Sequence, residues 1–178
     1  MATTGYVLPT AAADVTGVWT NLSNVLAEND SVATFTTTTK NDDRLWRGHT
    51  FNFDSLVPAN ASIDAVNFRH RGLRSTGGTL EAWVRRSTTD GTASGNANTS
   101  LTTVTVAPVA RPGGGSWTRA DLLNGTLEVR GRGLQPNNTT SRTYSFAWIE
   151  VEVVYTLPPE ELLPRKARRS PMFSLLRR

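Results

Sequence analysis

Four of the glutamates and both histidines are the groups in this chain that come first when catalysis is considered. A pair drawn from Glu81, Glu128, Glu150 and Glu152 could act as the acid and base of a glycosidase. All four fall on the charged side of alternating apolar and polar stretches, where carboxylates keep a strand face soluble. His49 and His70 each lie mid-strand with no carboxylate beside them in the alternating register. They read as packed or surface histidines rather than as a base or a ligand. Asp42, Asp43 and Asp54 offer oxygens for calcium, yet their spacing matches no calcium loop and suits turns instead. Gly113-Gly114-Gly115 lacks the Lys-Ser/Thr of a phosphate loop, and Gly131-Arg132-Gly133 precedes no helix. There is no cysteine, hence no disulfide and no thiolate metal site. No catalytic residue, cofactor or metal is assigned, and the chain is read as non-enzymatic.

Binding chemistry is better represented. Trp83 and Trp148 fall on the nominally outer sides of their strands, beside Arg85 and Glu150. One reading is that a loop or the N-terminal segment covers them. The other is an anchor for a second subunit or, together with Trp46, a stacking platform for a sugar. A second candidate lies at the end of the chain. Residues 1–156 carry 13 Lys+Arg against 13 Asp+Glu, whereas residues 157–178 carry six against two. The net charge of +4 therefore belongs to the terminal segment. That segment opens with the stiff Pro158-Pro159-Glu160-Glu161-Leu162-Leu163-Pro164. It continues through Arg165, Lys166, Arg168 and Arg169 to Met172, Phe173, Leu175, Leu176, Arg177 and Arg178. Basic residues flanking four apolar ones suit docking into a partner's acidic-rimmed groove. Nucleic acid ranks second, because phosphate binding does not need the apolar tip. A membrane surface ranks third, because the apolar stretch is short.

The elements that must position these groups are strands. Hydrophobic residues make up 38% of the chain, and Thr, Ser, Asn and Gly are abundant. That mix predicts an all-β domain with many turns. The longest β-prone run is Thr143 to Thr156. From Ala147 it alternates, with Ala147, Ile149, Val151, Val153 and Tyr155 on one side and Trp148, Glu150, Glu152 and Val154 on the other. Further strands are expected at 32–36, at 45–53 with Phe51 and Phe53 on one face, around Val66–Arg71, at 80–85, 101–106 and 126–133. Residues 88–100 are polar and without periodicity, which predicts an exposed loop. Ser116 to Leu123 is the one helical turn expected in the body, with Ser116 as its cap. About eight strands and no internal repeat predict an antiparallel β-sandwich, jelly-roll-like, over residues 1–156. Residues 1–14 are a candidate peripheral segment, and 157–178 form an extended C-terminal arm. No stretch has the character of a signal peptide or a membrane span, which predicts folding and assembly in the cytoplasm.

Three separated segments resemble one family, the β-sandwich structural proteins of tailed bacteriophages and prophages. Val57-Pro58-Ala59-Asn60-Ala61-Ser62-Ile63-Asp64-Ala65-Val66 is similar to that family's "Ile-Pro-x-Gly/Asn-Ala-x-Ile-x-Gly-Val" turn and strand, with Ala65 in place of the second glycine. Trp117 through Asp121-Leu122, followed by Leu127-Glu128-Val129-Arg130, resembles its "Trp-x-x-x-Asp-Leu … Val-x-Val/Ile-Arg" segment. Ile149 to Thr156 looks like its closing strand. Near the start, Asn29-Asp30-Ser31-Val32-Ala33-Thr34 resembles "Asn … Asp-x-x-Tyr-Ala-Thr", with Val32 replacing the aromatic. The likeness spans roughly residues 15–156 and excludes the arm. It implies a jelly-roll-like sandwich in a virion, with no catalytic residues to carry over. The expected role is a capsid decoration or cement protein that self-associates and binds the major capsid or other virion proteins through its arm. A minor tail, baseplate or fibre component is the nearest variant, and a carbohydrate-binding module is the alternative of a different class.

Overall fold

The computed structural model describes residues 1–159, and the arm residues 160–178 lie outside it. Two antiparallel sheets enclose one core. The first sheet holds β1 (Ala2–Val7), β3 (Ala33–Thr37), β5 (Ser62–Arg74), β9 (Thr102–Val106) and β11 (Arg142–Thr156). The second holds β2 (Ala11–Asp14), β4 (Asp43–His49), β6 (Thr79–Arg86), β7 (Thr89–Asp90), β8 (Ser94–Asn96) and β10 (Leu127–Leu134). The expected antiparallel sandwich is what forms, with eleven strands rather than about eight because several pairings involve only two to four residues.

β11 is the centre of the first sheet. β5 runs along one edge of it from Tyr144–Arg74 to Thr156–Ser62. Its other edge is shared: β3 pairs with Arg142–Phe146 and β1 with Val151–Tyr155. Alternation along β11 is broken by a bulge, because Phe146 faces Gly72 while Trp148 faces Arg71. Ala147 is the extra residue, and an extra residue reverses the side to which every later side chain points. Tyr144 and Phe146 thus reach the same core as Ile149, Val151 and Val153. Ala147, expected to share that side, is buried outside this cluster.

Phe146 lies at the middle of the core. Trp46, Trp19 and His70 surround it with ring centroids 5.4, 5.9 and 6.0 Å away. Two glycines of β10 make room for these rings. A Cβ on Gly131 would collide with the Trp46 indole, and one on Gly133 would lie 2.8 Å from Cγ of Tyr144. The Gly-Arg-Gly stretch is therefore a packing device, in which bare backbone admits two large rings.

Several local expectations change. The first fourteen residues are not peripheral: β1 is an edge of one sheet, β2 an edge of the other, and buried Pro9 packs between them against Gly48. The strand expected over 45–53 stops at His49, because Thr50 and Asn52 take left-handed backbone at φ 64° and 55°. Phe53 then opens the one-turn helix α1 (Phe53–Leu56) and stacks on Phe51 at 5.4 Å. Residues 88–100 contain β7 and β8 instead of a wholly exposed loop. Asn96 is buried there, donating from Nδ2 to the carbonyls of Gly72 and Thr102 at 2.9 and 3.2 Å. The expected helical turn is a 3-10 turn over Arg119–Leu122, capped by Thr118 rather than Ser116.

Candidate functional site

The four glutamates do not converge. Glu81 and Glu128 project from the outer face of the second sheet, Glu150 and Glu152 from that of the first, so the core lies between the two pairs. Each is occupied by its own neighbours. Glu81 holds Arg132, and Glu128 holds Arg47 and Arg130 at 3.1 and 2.8 Å. Glu152 accepts from Thr3 and Asn67 at 2.6 and 2.9 Å. Asp42 pairs with Arg44 and Asp43 with Arg132, at the opposite end of β4 from Asp54. Among the described residues no group of three or more His, Asp and Glu is placed to hold a metal ion. His49 bonds the hydroxyl of Thr50 through Nδ1 at 3.0 Å. His70 is fully buried with neither ring nitrogen partnered, and burial lowers its pKa to about 4.

Trp148 and Trp83 lie on outer faces, as their register requires, yet they are only 4% and 8% exposed. Trp46 belongs to the core. Of the two readings of these tryptophans, covered by the chain or exposed as a platform, the low exposure fits the first, the covers being polar side chains of the chain itself. The Arg69 guanidinium lies 5.1 Å from the Trp148 ring and 4.3 Å from that of Tyr6 on β1. The same guanidinium donates to Glu150 at 2.5 Å and to Glu28 at 3.0 Å. Burial raises the Glu150 pKa, and the bond from Arg69 pulls it back. Trp83 donates from Nε1 to Asp90 at 2.8 Å, and Arg132 lies 5.7 Å from its ring. Asp90 also takes Arg85 at 3.0 Å. Both outer faces are therefore lattices of arginine, carboxylate and aromatic side chains.

A third arrangement was not anticipated. Buried Asp121 accepts from Arg111, Arg86, and both the backbone N–H and the hydroxyl of Thr118. Burial acts against ionisation, yet these bonds hold the carboxyl well below the usual range. The neighbouring Trp117 donates to the Val109 carbonyl at 2.9 Å, and the Val109 N–H bonds Val66 of β5 at 2.8 Å. Since Arg86 ends β6, this clasp ties the segment 107–122 to both sheets. The sequence signal for it was the Trp-x-x-x-Asp-Leu spacing. The arm residues from Arg165 to Arg178 lie outside the described residues.

Neither a family model nor a curated protein matches the chain. Among solved structures it is similar to the CBM36-1 domain of a multidomain xylanase from the hindgut metagenome of Trinervitermes trinervoides, at 9% identity and TM-score 0.42, covering 84% of this chain and 94% of that one. It is also similar to TmCBM61 in complex with β-1,4-galactotriose, at 5% identity and TM-score 0.42, over 79% of this chain and 86% of that one. A third is the carbohydrate-binding module CBM36 in complex with calcium and xylotriose, at 11% identity and TM-score 0.34, over 88% and 100%. With identities of 5–11% and TM-scores below 0.5, these likenesses argue nothing about what this chain binds.

Proposed function

We propose that this protein is a non-catalytic recognition and assembly module, and specifically a structural component of a bacteriophage virion. In that role the sandwich lies on the particle, in multiple copies, and the C-terminal arm docks on neighbouring capsid or other virion subunits. The observation that carries the recognition role is the make-up of the body's charged side chains. Among the described residues there are twelve arginines and a single lysine, Lys40. Arginine and aromatic residues are enriched, and lysine depleted, where proteins meet one another. The resemblance of residues 15–156 to phage sandwich proteins supplies the particular setting. Nucleic acid is disfavoured as a partner of the body, because nine of its twelve arginines are in ion pairs with carboxylates. Particles assembled with the full chain and with a variant lacking 157–178 test the reading. Incorporation of the full chain at many copies, lost on truncation while the body stays folded, is the expected result. Absence of the full chain from purified particles defeats the virion reading, and retained incorporation of the truncated chain defeats the role of the arm.

A carbohydrate-binding module is the second reading, favoured by one observation. The half-buried ring of Tyr6 lies on the outer face of the first sheet near Arg69, in a stretch that also bears Asn67 and Glu152. These are groups that pair with sugar hydroxyls. Glycan-array binding that is lost in Tyr6→Ala supports this reading over the first.

A further inference from the structure

Three arginines of the sandwich stand outside the ion pairs that neutralise the other nine; Arg119 is taken up by the carbonyls of Val57 and Asp54, which leaves Arg74 and Arg142. Arg74 and Arg142 have no carboxylate partner among the described residues, and the Arg142 side chain makes no hydrogen bond there either. The Nε of Arg142 is buried without a partner. Arg74 donates only to the carbonyl of Ser75, at 3.1 Å. Both occupy core-facing register positions at one end of the sandwich. Arg142 lies two residues before Tyr144 on β11, and Arg74 is the direct cross-strand partner of Tyr144 on β5. Elsewhere these positions hold Phe68, His70 and Phe146. The nearby acid Asp42 is held by Arg44.

The backbone between the arginines is shaped around them. Gly77 turns with φ +81°, and a Cβ there would lie 2.8 and 2.9 Å from the two terminal nitrogens of Arg142. Gly78 packs with its bare Cα against the Tyr144 hydroxyl. That hydroxyl is anchored to Leu134 O and Gln135 Oε1 at 2.8 and 3.0 Å. Beside this turn is a cleft of about 220 Å³, lined by Arg74, by Gly78 to Leu80 and by Gly95 to Ala97. That is several times the ~30 Å³ share of one water molecule. Both arginines also act electrostatically on the Tyr144 phenol, whose pKa burial raises and they lower.

We propose that this cleft, with Arg74 in its wall and Arg142 packed against the neighbouring Gly77 turn, binds a small oxyanion group, a carboxylate or a phosphate. A planar guanidinium with no carboxylate partner can offer its remaining N–H donors to such a group as a fork, and the two arginines flank a glycine turn whose lack of side chains leaves space beside them. The inference is independent of the virion reading, since it concerns only the body of the protein. The test is amide NMR of the full chain titrated separately with inorganic phosphate and with sodium acetate at constant ionic strength. Saturable shifts at Gly77, Gly78 and Ala97 are expected with at least one of the two, and which one responds identifies the oxyanion. Arg74→Gln and Arg142→Gln should each weaken the response about tenfold, while Arg119→Gln should leave it unchanged. Arg74→Lys and Arg142→Lys, which keep the charge but lose the fork, provide folded counterparts and should weaken it as well. Shifts confined to the arm, no saturable shift with either anion, or shifts unaffected by all four substitutions at these arginines would overturn the proposal.

Discussion

Arg111 grips Asp121 through two nitrogens, Nε at 2.8 Å and Nη2 at 3.1 Å, and the carboxylate they share is almost completely buried. Because Arg86 and Thr118 bond the same carboxylate, its loss would leave two guanidinium groups unpaired and the 3-10 turn without its cap. Both arginines are partly exposed and can recover some hydration. Asp121→Ala should therefore cost about 2–4 kcal/mol, visible as a lower urea midpoint at pH 7. Its folded-state pKa is depressed, so its contribution is present above the unfolded carboxylate pKa and is lost as pH falls below about 4. The acid limb of the stability curve should be shallower in the variant than in the parent.

His70 should give the sandwich a second acid sensitivity, over a higher window. Its folded pKa of about 4 lies below the 6.5 of a free imidazole, because charging it would place an unpartnered cation among Phe68 and Phe146. The unfolded chain binds this proton first, so stability falls as pH drops from about 6.5 to 4, by about 3 kcal/mol across the window. His70→Phe should remove that slope. Chemical denaturation at pH 7 and pH 4.5 measures it, and an unchanged slope in the variant would assign it to other groups.

Adding one methyl group to β10 should be costly. Gly131→Ala drives a Cβ into the Trp46 indole and towards Phe146, both in the core. Overpacking of this kind costs about 3 kcal/mol, since both rings are fully buried in the core. The measurement is the shift in thermal midpoint. A change of less than a degree would mean that the rings yield more than the geometry allows.

Arg69→Ala removes the cation lying over Trp148 and Tyr6 and leaves Glu150, 2% exposed, without its ion-pair partner. The expected loss is about 2 kcal/mol, with Arg69→Ala/Glu150→Gln losing less than the single change. A double-mutant cycle in urea measures that coupling, and strict additivity would show that the pair contributes nothing as a pair.

The sandwich class was legible because alternation along β5, β6, β10 and most of β11 follows directly from burial on one side of a sheet. The bulge at Ala147 was not, since nothing local distinguishes it from the alanine of a regular strand. It shows only in the pairing with Gly72 and Arg71. Trp83 and Trp148 were correctly placed on outer faces, but their covers come from distant chain, Arg132 for one and Arg69 for the other. Asp121 carried a motif without a visible reason for it, because its partners at Arg86 and Arg111 meet only in the folded chain. Arg74 and Arg142 lie at inward parity of their strands, a signal that emerges once the bulge has been placed.

The pairing of β1 with the end of β11 sets Ala2 opposite Tyr155. The first residues of the sandwich and the last thus leave it at one corner, where Met1 and Ala2 line a shallow hollow with Thr156 and Leu157. Whatever is fused ahead of Met1 is tethered beside the end of β11. The same closeness makes the body suited to circular permutation, with a short linker from Leu157 to Met1 and new ends in the exposed hairpin at Thr88–Asp90, far along the chain from the strand pair that closes the sheet.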